Sequence, residues 1–292
     1  MAKEDLTLRI KEIEAAMNQP DFWQNPGEAQ AMIKELQSLK DEAEGKEKYD
    51  NADAVITIVA GAGGDDAEDF ARMLVEMYQR YAEGRVWSTM IIDLNENDQK
   101  GYRNLVFEID GKGAYGTLKN ESGVHRLVRM SPFNANGKRQ TSFVLVEVSP
   151  KIDDIKEAAL PEEEVEISFA KSSGAGGQNV NKRETAVRAV HTPTNISVNA
   201  SSERSQLQNK EKALALLAGK VYTFKEAQHK REMEGLSVDK AQKIEWGSQI
   251  RSYVLHPYQL VKDHRTNTEI RNVEAVLNGD IQELLDATHV LE

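Results

Sequence analysis

The sequence predicts a multidomain α+β protein, on three observations. Its 292 residues are enough for two or three domains, and 39% hydrophobic with 29% charged residues is ordinary for a globular chain. Strand-like segments and segments with helical spacing occur together in two groups, one on each side of residue 158. An acid-rich segment, DDIKEAALPEEEVEI, separates the two groups.

Residues 1–50 are predicted to form a short N-terminal helical domain. Apolar residues recur at helical spacing in 6–17 and in 32–39, and two prolines and a glycine lie between them, which predicts a helical hairpin over 4–45. Charged residues interrupt the aliphatic ones from the start, so neither a signal peptide nor a membrane anchor is expected. Because the chain has no cysteine, no disulfide or thiolate metal site is expected either.

Residues 51–157 are predicted to form the first α+β domain. AVITIVA has the β-branched character of a strand, GAGG ends it, and residues 65–84 have helical spacing with acids in the first turn and Gly84 at the end. Further strands are predicted from their apolar patterns at 86–94, 102–109, 113–119 and 139–150.

Residues 158–238 are predicted to form the second α+β domain, and 239–292 a C-terminal part. Strands are expected at 164–170, 184–193 and 195–200, followed by a long helix at 204–234 that Gly235 ends. In the C-terminal part, 246–255 is strand-like and 268–289 is predicted to be a final helix.

The charge is distributed unevenly. Residues 171–231 contain 11 basic and four acidic residues, a net charge of +7, whereas the whole chain carries −11, so the remainder carries −18. One basic region on an acidic body favours a polyanionic partner that is touched mainly by that region. A solvated helix face is the alternative explanation.

Two GAGG runs invite comparison. The first, at 61–64, lies between a strand and a helix N-terminus, where backbone N–H groups favour anions. A dinucleotide-binding pattern would need glycine at position 66, which is Asp66, and the acids of the first helical turn would repel a phosphate. The first run is therefore predicted to be a tight strand-to-helix turn.

The second run lies in SSGAGGQNVNK, residues 172–182, inside the basic region. Glycines let the backbone approach a ligand closely, and backbone N–H groups can stabilise an oxyanion that develops during ester hydrolysis. The Gln178 amide donates and accepts hydrogen bonds but takes no proton at neutral pH, so it suits positioning or selecting a water. The residues alone equally allow a simple turn.

Several segments together resemble one family. SGAGGQNVNKRETAVRAVH with RSQLQNKEKAL, GAGGDDAEDFARMLVEMYQRYAE, GAYGTLKNESGVHRLVRMSPFNANGKRQTSF and WGSQIRSYVL are similar to segments of the bacterial class I peptide chain release factors. The likeness extends from about residue 50 to the C-terminus, in the family's order. The tripeptide at 131–133 resembles that of the release factor 2 type, which recognises UGA and UAA.

The resemblance assigns the catalytic role to three residues, Gly176, Gly177 and Gln178. It implies that they enter the peptidyl transferase centre and promote hydrolysis of peptidyl-tRNA, with the Gln178 backbone amide assisting and its side chain excluding other nucleophiles. It also implies methylation of the Gln178 amide by a dedicated methyltransferase. The implied partners are the ribosome with its 16S and 23S rRNA, the mRNA stop codon and peptidyl-tRNA, with no cofactor, metal or membrane, in the cytoplasm.

The resemblance makes 51–157 a decoding domain, 158–238 a GGQ domain, and 239–292 a part that packs back on the decoding domain. The implied codon-recognition residues are Ser131, Pro132, Phe133, Thr141 and Gly63. Hydroxyl groups and aromatic rings recognise single-stranded RNA by hydrogen bonds and stacking. The resemblance also places Trp246 in a switch loop that reports codon recognition to the GGQ domain. Nearby basic residues that are expected to meet rRNA phosphates are Arg126, Arg129, Lys138 and Arg139.

The sequence departs from the family in three places. Gln140 stands where a histidine usually stacks between the second and third bases, and Asp66 where a glutamate usually caps the helix tip that recognises the first uridine. The N-terminal domain is also shorter than usual. Two alternatives stay open: a codon-independent ribosome-rescue hydrolase, against which the SPF tripeptide and the lack of a long basic C-terminal tail argue, and a non-catalytic RNA- or nucleotide-binding module.

Overall fold

The computed structural model describes residues 3–17, 29, 32, 36, 39, 49–134, 137–152, 160–171, 184–233 and 248–290. The chain divides into two compact units, Met1–Asn51 and Ala52–Glu292. The predicted boundary at residue 50 lies beside this division. The predicted boundaries at 157 and 238 fall inside the second unit and stay predictions.

The first unit contains helix α1, Lys3–Met17. Ile13 is buried against Leu36 and Leu39, and Ile10 and Met17 pack at the edge of the same cluster. These α1 residues share one face because an α-helix has about 3.6 residues per turn. The observed helix agrees with the first half of the predicted hairpin.

The second unit is built on an eight-stranded sheet, in the order β11, β10, β9, β4, β5, β1, β3, β2. Every neighbouring pair is antiparallel except β4 and β9, which are parallel. The strands are β1 (Ala54–Ala60), β2 (Ser88–Glu96), β3 (Tyr102–Asp110), β4 (Gly123–Met130), β5 (Arg139–Pro150), β9 (Gln249–Val254), β10 (Leu260–Asp263) and β11 (Glu269–Ile270).

Helix α2, Asp65–Gly84, packs on this sheet. Phe70, Leu74 and Tyr78 recur at a spacing of four, so they lie on one helix face, and all three are fully buried. Phe70 also meets Tyr253 of β9 edge to face, with 5.6 Å between ring centroids. The apolar face of α2 therefore packs on strands from both the N-terminal and the C-terminal parts of the second unit.

A three-stranded antiparallel sheet and a long helix form the other part of the second unit. The elements are β6 (Val165–Ala170), β7 (Ala186–His191), β8 (Ile196–Ala200) and α4 (Gln206–Met233). α4 packs on β7 and β8 and also reaches β5 of the large sheet. A Cβ on Gly219 would lie 2.3 Å from the Pro150 carbonyl oxygen, so only glycine permits this approach, and Lys220 Nζ lies 2.9 Å from Glu147 Oε2 beside it.

The C-terminal strands are joined to the large sheet by a buried ion network. Arg251 of β9 is fully buried, and its two terminal nitrogens each donate to Glu121 at 2.6 Å, while Nη2 also donates to Asp263 Oδ2 at 3.1 Å. Arg265 donates to the same Asp263 oxygen at 2.8 Å. Burial alone would raise the pKa of Glu121, but the charge and hydrogen bonds of Arg251, together with smaller contributions from His125 and Arg265, outweigh burial and lower it. The C-terminal part thus packs on the first α+β domain, as expected.

Two predictions of secondary structure were wrong. Residues 113–119 form helix α3, Ala114–Leu118, and a 3-10 turn rather than a strand, because Ala114, Tyr115 and Leu118 bury one face of a helical turn. The predicted helix over 268–289 is divided into β11, α5 (Val273–Leu277) and α6 (Gln282–His289). Asn272 starts α5 anew, since its side-chain oxygen accepts the Ala275 N–H at 3.1 Å.

His125 of β4 makes the stability of the fold dependent on pH. The ring is fully buried, and burial lowers its pKa to about 4, whereas an unfolded histidine titrates near ~6.5. Between these values the unfolded chain binds a proton that the folded chain does not. The free energy of unfolding therefore falls as the pH is lowered through this window, by about 3 kcal/mol for this group.

The prediction is tested by urea unfolding at pH 7 and pH 4.5. His125→Gln, which does not titrate, is expected to lose about 3 kcal/mol less than the wild type on acidification. His256→Gln, at an exposed position, is expected to lose as much as the wild type. Equal losses in all three proteins would contradict the assignment.

Candidate functional site

The first glycine run lies against strand β5. The Gly61 N–H donates to the Phe143 carbonyl at 2.8 Å, and the Phe143 N–H donates back to Ala62 at 2.9 Å. This pair of bonds holds the turn between β1 and α2 onto the sheet. Gly63, with φ +138°, is so close to Ser142 that an added Cβ would lie 2.8 Å from its Oγ. The predicted strand-to-helix turn is observed, and its position requires glycine.

Ser131 follows β4 directly and meets the first turn of α2. Its Oγ donates to Asp66 Oδ2 at 2.5 Å and accepts the Phe133 N–H at 3.2 Å, while its own N–H donates to Lys138 O at 3.2 Å. Ser131 and Asp66 are both largely buried, at 5% and 6% exposure. The tripeptide is thus fixed to the helix that carries the acids.

Arg129, two residues before Ser131, organises this contact. Its Nε and Nη2 donate to Asp66 Oδ1 at 3.2 and 2.9 Å, and its Nη1 lies 2.8 Å from Asp69 Oδ2. The guanidinium also lies 5.9 Å from the centre of the Phe133 ring, within the range of a cation–π contact. Arg129 is therefore an internal ion-pair partner. These contacts do not support the expectation that it meets an rRNA phosphate.

These residues border a cleft of about 540 Å³. The Phe133 ring is 41% exposed, and Pro132 beside it is exposed. The cleft is lined by Gly63, Asp65, Asp66, Ser131, Phe133, Asn134 and Gln140. The structure thus brings Gly63 together with Ser131 and Phe133, which are distant from it in the sequence. An aromatic face, a buried hydroxyl and a bare backbone meet there, and this combination suits a nucleobase.

Thr141 lies in a different cavity from Gly63, Ser131 and Phe133, and Pro132 lines neither cavity. Thr141 is paired with Val128 across β4 and β5, and Val128 is paired with Val254 of β9, so their side chains share one sheet face. Neighbouring Gln140 borders the cleft instead, because successive strand residues point to opposite faces. The predicted set is therefore split between two sites at one end of the sheet.

The second cavity, of about 350 Å³, is a cationic groove. None of the described residues that line it is Asp or Glu, and among its lining residues are Arg126, Thr141, Arg139, Ser252, Lys262 and His264. Lys262 is bound to Glu269 at 2.8 Å, whereas Arg126 Nε is buried and lacks a hydrogen-bond partner among the described residues. An incoming acceptor such as a phosphate oxygen would satisfy that donor.

The predicted catalytic residues Gly176, Gly177 and Gln178 lie outside the described residues, and so does Trp246. The strands on either side of the loop are paired up to Ala170 and Ala186. Within the described part of the chain, no helix is long and apolar enough to span a membrane, and no group of three or more His, Asp or Glu side chains is arranged to hold a metal.

Comparison with known proteins assigns the chain to a family. The PCRF domain model matches residues 44–146, and the RF-1 domain model matches 153–265. Peptide chain release factor 2 of Clostridium perfringens is 45% identical over 260 residues, which is 89% of this chain and 72% of that protein. The chain belongs to the peptide chain release factor 2 family.

Longer matches agree with this assignment to release factor 2. Peptide chain release factor 2 of Listeria monocytogenes is 36% identical over 97% of this chain and 91% of its own length. The solved structure of RF2 of Thermus thermophilus matches 99% of this chain and 97% of that chain, with a TM-score of 0.73 and 33% identity. The resemblance and the fold class predicted from the sequence are confirmed.

The sequence did not indicate two features of the cleft and the groove. It indicated Asp66 as a departure and a source of repulsion, but not as the acceptor for Ser131, nor Arg129 as its partner. It also did not indicate the contribution of β9 and β10 to the cationic groove. No local sequence pattern indicates either contact, because the partners lie on elements that are distant along the chain.

Gly63→Ala is expected to destabilise the protein more than Gly64→Ala. Both glycines have positive φ, +138° and +59°, but only at Gly63 does an added Cβ meet neighbouring atoms within 4 Å. Overpacking against Ser142 is expected to lower the free energy of unfolding of Gly63→Ala by about 1–3 kcal/mol below that of Gly64→Ala, as measured by urea unfolding. Equal destabilisation would contradict the close approach.

Proposed function

We propose that this chain is a translation termination factor that acts on the ribosome, recognises the stop codons UGA and UAA, and triggers hydrolysis of the peptidyl-tRNA ester. The observation that carries the proposal is the cleft in which Gly63, Ser131 and Phe133 meet, in a chain of the release factor 2 family. The rescue hydrolase alternative is not favoured, because the homologues are named as release factors and the SPF tripeptide occupies an organised site.

The cleft suits codon recognition for physical reasons. The exposed Phe133 ring offers a face on which a base can stack, and the absence of a side chain at Gly63 lets a base approach the backbone. Ser131 Oγ offers a hydrogen-bonding group to the edge of a purine. Thr141, in the cationic groove, offers a second hydroxyl at a separate position, which suits recognition of a different nucleotide.

Catalysis is proposed for Gly176, Gly177 and Gln178 on the basis of the sequence. In this mechanism a water attacks the ester carbonyl of peptidyl-tRNA, an oxyanion develops, and the sugar hydroxyl leaves. The backbone N–H of Gln178 would stabilise the developing charge, and its side chain would favour water over other nucleophiles. The proton that the attacking water loses passes to the leaving sugar oxygen, and the Gln178 amide acts as neither acid nor base in this step.

The proposed partners are those that the family resemblance implies. They are the 16S and 23S rRNA of the ribosome, the mRNA stop codon, peptidyl-tRNA, and a glutamine methyltransferase that acts on Gln178, all in the cytoplasm. Trp246 is proposed to lie in the switch loop between a GGQ domain at 158–238 and the C-terminal part. Arg126 and Arg139 of the cationic groove are proposed to meet RNA phosphates.

Peptide release from ribosomes programmed with UAA, UGA, UAG or a sense codon tests the proposed function. Release is expected on UAA and UGA only. Gln178→Pro, which removes the backbone N–H, is expected to lower the release rate by about 10²–10³. Gln178→Ala keeps the N–H, so it is expected to retain more hydrolysis but to let added small nucleophiles compete with water.

Ser202→Ala, at an exposed position outside the cleft and the cationic groove, serves as the control and is expected to release as the wild type does. Release that is independent of the codon would support a rescue hydrolase instead. If the Gln178→Pro protein were as active as the Gln178→Ala protein, the proposed catalytic role of the Gln178 backbone N–H would be wrong.

The salt dependence of ribosome binding tests the cationic groove. Arg126→Gln and Arg139→Gln are each expected to weaken binding to UAA-programmed ribosomes and to reduce the slope of log K against log salt by about 0.7 per lost phosphate contact. Arg271→Gln removes an exposed charge outside the groove and is expected to leave the slope unchanged. Unchanged slopes in all three variants would contradict the proposal that the groove binds RNA phosphates.

A further inference from the structure

A third cavity lies between the large sheet and the three-stranded sheet with its helix α4. Its volume is about 220 Å³. β8 and α4 cover it from one side, and from the large sheet it is lined by Thr57, Val59, Asp93, Asn104, Val106 and Glu147. None of its lining residues contributes to the cleft or to the cationic groove, so the proposed function makes no use of it.

Neighbouring strands bring oxygen atoms together on this face of the large sheet. Thr57 of β1 and Asp93 of β2 are both paired with Val106 of β3, from opposite sides, so the three share one face. Asn104 precedes Val106 by two residues and is on the same face. It is therefore the diagonal neighbour of Thr57 and of Asp93, at a distance of about 7–8 Å between strand positions. One small ligand between these strands is within reach of all three side chains.

Two of these oxygens lack a hydrogen-bond partner. Thr57 is only 3% exposed, and neither its Oγ1 nor Asn104 Oδ1 has a partner among the described residues. Buried polar atoms are rarely left unpaired in proteins, because the loss of their hydrogen bonds to water is unfavourable. Asn104 Oδ1 only accepts, and the Thr57 hydroxyl is able to accept, so a ligand that donates hydrogen bonds would satisfy both.

The cavity also has a net negative charge. The charged residues in its described lining are Asp93, Glu147 and Lys220, two acidic and one basic, which gives −1. Lys220 Nζ lies 2.9 Å from Glu147 Oε2 and compensates that carboxylate. Asp93 accepts from the Ser201 hydroxyl at 2.6 Å, but burial outweighs its hydrogen bonds and raises its pKa. A cation beside Asp93 would compensate for this burial.

The apolar part of the lining indicates an organic cation. Val106, Val198 and Leu216 are largely buried and form walls beside the oxygens. Metal ions such as Mg²⁺ need a shell of oxygen ligands, which apolar walls do not supply. In the described part of the chain, no group of three or more Asp, Glu or His is arranged to hold a metal. A primary ammonium on an aliphatic stem fits better, because it has three donors, no acceptor and an apolar portion.

We propose that this cavity binds a primary alkylammonium ion. The ammonium donates to Asp93, Asn104 and Thr57, and the aliphatic stem lies between Val106 and Leu216. Because the large sheet contacts the ligand from one side and β8 with α4 from the other, the bound amine stabilises the packing of these two parts.

Isothermal titration calorimetry of the full chain with n-butylamine at pH 7, where the amine is protonated, tests the proposal. The ionic strength is kept constant with sodium chloride. A Kd of about 1 mM is expected for so small a ligand. Two matched compounds separate its features: 1-butanol has the stem without the charge, and tetramethylammonium has the charge without an N–H donor. Each is expected to bind at least about tenfold more weakly.

Asp93→Asn removes the charge and keeps the shape of the side chain, whose oxygen still accepts from Ser201. It is expected to weaken n-butylamine binding by about tenfold or more. Asp98→Asn is the matched control, because it makes the same change of charge at an exposed position outside the cavity. Its Kd is expected to equal that of the wild type.

Thr57→Val removes the unpartnered hydroxyl at nearly constant volume. It is expected to weaken n-butylamine binding by about threefold to tenfold. The urea unfolding midpoint of each variant without amine shows that the fold is intact. In the presence of n-butylamine, the midpoint of the wild type is expected to rise more than that of Asp93→Asn.

Three results would overturn the proposal. They are the absence of n-butylamine binding to the wild type, equal binding of 1-butanol or tetramethylammonium, and equal affinities of the wild type, Asp93→Asn and Thr57→Val. The cavity would then hold water or an apolar ligand only. The comparison of the three ligands needs no variant, so it decides the proposal even if Asp93→Asn does not fold. Peptide release tests the proposed function separately.

Discussion

The second unit depends on the burial of one cation, the Arg251 guanidinium. A buried charge is tolerated only when it is paired and hydrogen-bonded, and Arg251 is bound by Glu121 from the turn before β4 and by Asp263 at the end of β10. Burial alone would raise the pKa of Asp263, but Arg265 and Arg251 together lower it to about 2. These bonds connect the C-terminal strands to β4, the strand that ends beside Ser131, so the cleft and the cationic groove share one support.

That support places two chemically different sites at one end of a sheet. The alternation of side chains along β5 directs Gln140 toward the cleft and Thr141 toward the groove. In the cleft, the Asp66 carboxylate is held by Arg129 and accepts a hydrogen bond from Ser131, whereas the lining of the groove among the described residues contains cations and no carboxylates. The cleft and the cationic groove therefore occupy separate surfaces of an acidic chain.

The close contacts of the second unit leave little freedom at its sites. Gly63 touches Ser142 and Gly219 touches Pro150, each at a distance that no side chain would permit. The Gly63 contact places the turn before α2 within reach of Ser131. The Gly219 contact places the long helix of the three-stranded sheet against β5, which also carries Gln140 and Thr141. β5 thus contributes residues to the cleft and to the cationic groove, and it also supports the long helix that follows the glycine loop in the chain.

The sequence by itself determined the fold class, the family, most strands and the two long helices. These depend on local periodicity and on short motifs such as SPF and GGQ, which are visible in a linear chain. Only the tertiary structure decided that Thr141 is apart from Ser131, that Arg129 faces Asp66 rather than solvent, and that β9 and β10 complete the groove. Residues 113–119 also became a helix only through the burial of Tyr115 and Leu118. The reason is physical: hydrogen-bond direction and charge pairing are set by partners distant along the chain, and local sequence does not encode which distant side chain will be within reach.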